Sequence, residues 1–210
     1  MSAPPPAAEY AFPSNRLTRT LADPSKTPLV LVACGSFSPI THMHLRMFEM
    51  AVDHVRQNMA DEYEVVGGYM SPVSDGYNKA GLASATHRYP PPTPPHHAAP
   101  LRPAPSRLTR APSIRMCELA CEQTSDWIMV DPWEAVQAQY QPTAVVLDHV
   151  AHEVNDVLGG VAPYAGAPRA EFRRAHVSLL SGSDLLQTMS VRAPPPPAPT
   201  PRQGAAPPPG

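Results

Sequence analysis

An α/β fold with a parallel sheet covered by helices on both faces is predicted by three observations. Four short apolar runs, at 29–33, 63–70, 127–130 and 176–180, are bounded by turn residues. The first of them, Leu29-Val-Leu-Val-Ala33, is continuously apolar, as a strand buried on both faces must be. Segments of helical period lie between the runs, and strands that alternate with helices form parallel sheets.

The elements follow in order. The run 29–33 ends at Cys34-Gly35 and opens the loop 35–40. From Thr41 to Gln57, Leu45, Phe48, Val52 and Val55 recur at steps of three and four, with Arg46, Glu49, Asp53 and Arg56 elsewhere. That pattern is an amphipathic helix with Thr41 as its N-cap. Tyr63–Met70 reads as a second strand interrupted by glycine, Ile114–Gln123 as a helix and Trp127–Val130 as a third strand. Trp133–Val154 reads as a helix broken near Pro142, and His176–Leu180 as a fourth strand.

Proline organises the rest of the chain. Of 30 prolines in 210 residues, nine fall in Tyr89–Ser113, nine in Ala193–Gly210 and six in Met1–Pro28. So dense a loss of N–H donors leaves no regular element. The expected layout is a disordered segment over 1–28, one domain over 29–192 interrupted by a Pro-rich insert at 89–113, and a disordered tail over 193–210. One core is expected, since the non-proline-rich remainder is too short for two.

A formal charge of −2 argues against a partner bound through many phosphates, so no nucleic acid is expected. No apolar run approaches the length of a bilayer span, and no membrane is expected either. Three cysteines, Cys34, Cys117 and Cys121, form no disulfide framework and point to a reducing compartment, nucleus or cytoplasm. Cys117 and Cys121, like His149 and His152, share helix faces, but neither pair has enough ligands at defined spacing for zinc, and no protein-held metal is expected. Trp133, Leu119 and Cys117 read as packing residues.

The chemistry concentrates in Gly35-Ser36-Phe37-Ser38-Pro39-Ile40-Thr41-His42-Met43-His44. A strand that ends in Gly-Ser and turns into a helix gathers backbone N–H groups, a helix N-terminus and an imidazole around one small volume. That volume suits a phosphate. The same residues also admit a simpler reading, in which His44 only caps or packs.

The stretch resembles the G-x-F-x-P-x-[HT]-x-x-H signature of the nucleotidylyltransferase superfamily. Further blocks follow in order: Gly68-Tyr-Met-Ser71-Pro72-Val73-Ser74-Asp75-Gly76-Tyr77-Asn-Lys79, His87-Arg88, Asp126-Trp127, Val130-Asp131-Pro132-Trp133-Glu134 and Leu179-Leu180-Ser181-Gly182-Ser183-Asp184. Together they are similar to the eukaryotic, fungal-type nicotinamide/nicotinate mononucleotide adenylyltransferases over about Pro28–Val191. The resemblance implies a Rossmann-like fold and transfer of AMP from ATP to nicotinamide or nicotinate mononucleotide, with release of pyrophosphate. It makes His44 catalytic. It assigns Gly35, Ser36, Phe37, Lys79, Gly182 and Asp184 to ATP and its phosphates, and Tyr77, Tyr140 and Thr143 to the pyridine nucleotide. Tyr140 stands where relatives often carry tryptophan. Read without the family, Lys79 is a solvated loop charge and Tyr140 a core residue. Mg2+ is implied as a companion of ATP, and a homo-oligomer is implied because relatives commonly form one.

Family members carry a second phosphate motif, Ser-Ser-Thr-Lys-x-Arg, near their C-terminal end, and these 210 residues lack it. The expectation is therefore a C-terminally truncated member whose sheet is incomplete at the C-terminus, with inactivity through truncation left open. Both Pro-rich stretches begin abruptly inside blocks that relatives continue, as translated intron sequence would, and sequencing of the transcript tests this. Two other classes stay open: another superfamily nucleotidylyltransferase, of pantetheine-phosphate or cytidylyl type, and a non-catalytic binding fragment whose Pro-rich arms recruit partners.

Overall fold

In the computed structural model, the structure describes residues 10–37, 39–74, 112–137 and 139–183. Four strands, β1 (Thr27–Gly35), β2 (Tyr63–Pro72), β3 (Ile128–Val130) and β4 (His176–Leu180), form a parallel sheet in the order β3-β2-β1-β4. The chain moves outward from β1 through β2 to β3, then returns to the other side of β1. That reversal places a topological switch point between β1 and β4, where open α/β sheets bind ligands beyond the strand carboxyl ends.

Alternation along β1 explains why its run is apolar without a break. Leu29, Leu31 and Ala33 face a core shared with Phe48, Val52 and Val55 of α1 (His42–Asn58) and with Ile114, Cys117 and Cys121 of α2 (Pro112–Thr124). Val30 and Val32 face the opposite core, with Val66, Tyr69 and, from α3 (Thr143–His152), Val150. Helices therefore cover both faces, as the sequence predicts. α2 opens at Pro112, inside the stretch expected to be insert; residues 75–111 lie outside the described residues.

The helix expected over Trp133–Val154 is two elements. A 3-10 turn, Glu134–Val136, is followed by a non-helical connection, and α3 starts only after Pro142. Proline stands at the N-cap with φ −58 and ψ 143, where its missing N–H costs nothing. α3 continues into a π-helical turn, Glu153–Val157, and its Asn155 clamps the approach to β4: Nδ2 donates to the Ala175 carbonyl at 3.1 Å, and Oδ1 accepts from the Ala175 N–H at 2.6 Å.

The expectation of disorder over 1–28 is corrected for residues 10–28. Leu17 and Leu21 are buried in the second core, and Phe12 packs on the ring of Tyr69 at 4.8 Å. Arg16 Nη1 donates to the carbonyls of Cys121, Ser125 and Ile128 at 3.1, 2.7 and 3.1 Å, closing the C-terminal end of α2. Pro13 is the one proline between Tyr10 and Leu21, and apolar anchors together with Arg16 and Arg19, whose Nη2 donates to the Leu158 carbonyl at 2.7 Å, hold the segment down.

Candidate functional site

β1 ends at Gly35, whose carbonyl accepts the Val73 N–H at 3.0 Å and so ties the loop after β1 to the end of β2. Phe37 then turns with φ 39, a left-handed conformation that non-glycine residues rarely adopt, and its side chain is buried at 3 % exposure. The ring lies over Gly35: a Cβ there would sit 3.3 Å from two ring carbons. A side chain at position 35 therefore needs the Phe37 ring to give by a few tenths of an ångström.

The chain enters α1 through Thr41, which has extended backbone (φ −129, ψ 163). The Thr41 N–H donates to Nδ1 of His44 at 3.0 Å, and Thr41 Oγ1 lies 2.9 Å from the same nitrogen. This is the returning arm of a capping box, with imidazole in the place of the usual Glu or Gln. A backbone N–H can only donate, so Nδ1 is an acceptor and the neutral ring carries its proton on Nε2. The imidazole edge meets Phe37 at a ring separation of 5.2 Å and 87°. His44 therefore does cap, as the simpler reading holds, and capping also fixes its tautomer. The first turn of α1 contains no acid, so nothing internal neutralises its N-terminal partial charge. Gly35, Ser36, Phe37 and His44 meet at one strand-to-helix turn that can receive an anion.

A second group of polar side chains follows β2 and β3; because the strands are parallel, it lies along the same edge of the sheet. Asp131 is fully buried. Its Oδ1 accepts from Tyr10 O–H at 3.0 Å and from the Trp133 N–H at 3.1 Å. Oδ2 has no hydrogen-bond partner among the described residues and lies 3.5 Å from His149 Nε2. The Tyr10 hydroxyl is 2.8 Å from that same nitrogen. Burial pushes Asp131 up to about 6 and holds His149 down at about 4. Glu134, 1 % exposed, accepts from Ser71 Oγ at 3.1 Å, and burial first, then the charge of Asp131, pushes it up to about 7. Burial raises the Cys34, Cys117 and Cys121 thiols to about 12, 12 and 11, so none is activated.

Tyr140 and Thr143 stand on the connection between the 3-10 turn and α3, with Thr143 the first residue of that helix. Tyr140 is 45 % exposed, so it is not a core residue. Tyr77, Lys79 and Asp184 lie outside the described residues. Gly182 is exposed and belongs to a separate unit, Ser181–Gly210, of which only 181–183 are described. Cys117 is buried packing as expected, whereas Leu119 is 39 % exposed. His149 and His152 face different partners, His152 turning to Asp156 at 3.2 Å. Among the described residues, no group of three or more His, Cys, Asp or Glu side chains can hold a metal ion, and no helix is long and apolar enough to cross a membrane.

The largest cavity described, about 530 Å³, lies at the opposite end of the sheet, lined by Lys26, Arg56, Tyr63, Glu64 and Trp127 among others. None of the predicted site residues that the structure describes borders it. Sequence reasoning missed Tyr10 altogether, and it did not foresee that Asp131 and His149 meet it. The one available signal was a buried-looking Asp directly after an apolar strand; their mutual contacts span up to 139 positions and leave no local pattern.

A family profile described as cytidylyltransferase-like matches residues 32–91. The chain is 49 % identical over 181 residues to nicotinamide/nicotinic acid mononucleotide adenylyltransferase 2 of Saccharomyces cerevisiae, covering 86 % of this chain and 38 % of that protein. It is 46 % identical to the Schizosaccharomyces pombe protein of that name, covering 86 % of this chain and 41 % of the relative. The Arabidopsis thaliana counterpart is 42 % identical over 150 residues, 71 % of this chain and 48 % of the relative. The chain thus spans about two fifths of the length of these fungal relatives and about half of the plant one. The chain is a homologue of the eukaryotic nicotinamide/nicotinic acid mononucleotide adenylyltransferases, shorter than they are, with a cytidylyltransferase-like domain.

Proposed function

We propose that the chain transfers AMP from ATP to nicotinamide or nicotinate mononucleotide in NAD biosynthesis. The 5′-phosphate oxygen of the mononucleotide attacks the α-phosphorus of ATP. A P–O bond forms on one side as the bond to the β-phosphate breaks on the other, and its electron pair leaves with pyrophosphate. The nucleophile is already anionic at neutral pH, so no general base is needed. The protein contributes alignment and stabilisation of phosphate charge.

In this reading the Nε2–H of His44 donates to the phosphates, backbone groups of Gly35 and Ser36 and the N-terminus of α1 cradle them, and Phe37 forms an apolar wall. The family resemblance assigns Lys79, Gly182 and Asp184 to ATP as well, and Tyr77, Tyr140 and Thr143 to the pyridine nucleotide. The described turn offers donors to phosphate oxygens, not carboxylates to a cation, so Mg2+ fits as a companion of ATP, held by phosphate oxygens and water, where it neutralises phosphate charge. Three free thiols suit the reducing conditions of nucleus or cytoplasm.

The observation that carries the reading is the tautomer lock: Thr41 occupies Nδ1 and leaves the imidazole one N–H donor at an anion-ready helix end. The test is a product screen of the purified chain with ATP and, separately, nicotinamide mononucleotide, nicotinate mononucleotide and phosphopantetheine. Dinucleotide and pyrophosphate are expected with the two pyridine substrates. Turnover of phosphopantetheine alone moves the chain to another branch of the superfamily, and no turnover with any of the three refutes the assignment.

A further inference from the structure

The connection that carries Tyr140 and Thr143 is closed by a ring stack. Trp133 precedes it and His149 follows it, and their rings lie parallel at 4.2 Å and 10°. Both residues are tied to one carboxylate: Trp133 through its backbone N–H to Asp131 Oδ1, and His149 through ring Nε2, 3.5 Å from Oδ2. The third member comes from far upstream. Tyr10 gives its single hydroxyl proton to Asp131 Oδ1 at 3.0 Å, so its oxygen accepts from His149 Nε2–H at 2.8 Å. Asp131 is fully buried and His149 nearly so, which leaves little water to replace the hydroxyl. Phe12 and the Tyr69 hydroxyl, which donates to the Pro13 carbonyl at 3.0 Å, fix the backbone just beyond Tyr10.

We propose that Tyr10 is a positioning residue: its hydroxyl joins Asp131 to His149, holds the Trp133–His149 stack shut, and so presents Tyr140 and Thr143 in a preformed half-site for the pyridine mononucleotide. The substrate part of this rests on the function proposed above. A loop pinned at both ends loses less freedom when it binds, so the cost of an open stack falls on mononucleotide affinity. The turn after β1 shares none of these contacts, so ATP is spared. Burial raises the Tyr10 hydroxyl well above the usual phenol range and keeps His149 neutral, so the donor and acceptor roles hold above about pH 6, where Asp131 is ionised.

The test uses Tyr10→Phe, which removes one oxygen and keeps the ring. The chain has two tryptophans, so in a Trp127→Phe background Trp133 is the only tryptophan, and excitation at the red edge of the indole band selects it over the tyrosines. Without any ligand, acrylamide quenching of Trp133 is expected to rise about 2-fold or more in Tyr10→Phe as the stack opens. With both substrates, the KM for the mononucleotide is expected to rise about 5- to 10-fold, the equivalent of one buried hydrogen bond, while kcat and the KM for ATP stay within about 2-fold. Unchanged quenching overturns the latch. Raised quenching with equal losses for both substrates overturns the positioning role and leaves a structural one. A parent chain that neither binds mononucleotide nor forms dinucleotide overturns the proposed function, and with it the substrate half of the proposal, whatever the quenching shows.

Discussion

Glu134→Gln isolates the electrostatic cost of the buried carboxylates along the site edge. The Glu134 carboxyl is almost inaccessible, with Ser71 Oγ donating to it at 3.1 Å, and burial, reinforced by the charge of Asp131, raises it from 4.5 to about 7. A group whose folded pKa lies above its unfolded value stabilises the fold fully below about pH 4.5, and that contribution is lost as pH rises through about 7. The displacement corresponds to at most about 3 kcal/mol, and to about 2 kcal/mol once screening is discounted. His149 works in the opposite sense: held down at about 4 from 6.5, it contributes stability above about pH 6.5 that is lost as pH falls through 4. The parent curve therefore mixes both effects, and the difference between variant and parent is the informative quantity. Gln keeps an oxygen for Ser71 and cannot ionise. Urea unfolding at pH steps from 4.5 to 8 is expected to show the variant gaining about 2 kcal/mol relative to the parent across that range. A constant offset, or a relative loss at high pH, would refute the claim that Glu134 is buried at the expense of its charge.

Two further changes probe the turn and the N-terminal segment. Gly35→Ala places a Cβ 3.3 Å from the Phe37 ring, which must shift by a few tenths of an ångström and take His44 with it; kcat is expected to fall by about 10-fold, with thermal stability reduced by no more than about 2 kcal/mol, measured by steady-state kinetics and melting. Arg16→Ala strips the donor from two carbonyls at the end of α2, Cys121 and Ser125, and from that of Ile128 at the start of β3; urea unfolding is expected to show a loss of about 2 to 3 kcal/mol, and a loss under about 0.5 kcal/mol contradicts the view that the segment from Tyr10 is part of the fold.

Much of the sheet and its helices is legible in the sequence because burial on both faces writes a local signal. Leu29–Ala33 must be apolar throughout since alternate residues enter different cores, and Phe48, Val52 and Val55 must recur at helical spacing to reach one of them. Pro142 likewise announces the break before α3. The strand-to-helix turn and a capping role for His44 are legible in the sequence, yet the left-handed Phe37 and the tautomer that capping imposes on His44 are not, because both depend on what the side chain touches. The packed segment from Tyr10 to Leu21 escapes reading for a different reason. Its anchors are single residues, and each meets a partner far along the chain, so no period forms. Asp131, His149 and Asn155 belong to the same class: a buried polar residue is explained by its partner, and the partner is tertiary.

His44 carries the central claim, and replacing it by alanine in a two-substrate assay of dinucleotide and pyrophosphate formation is the most direct measurement. Loss of the Nε2–H donor is expected to lower turnover by at least about 100-fold while the apparent affinity for ATP falls much less, since the helix N-terminus and the loop backbone remain. Equal turnover in the parent and in His44→Ala would contradict the account.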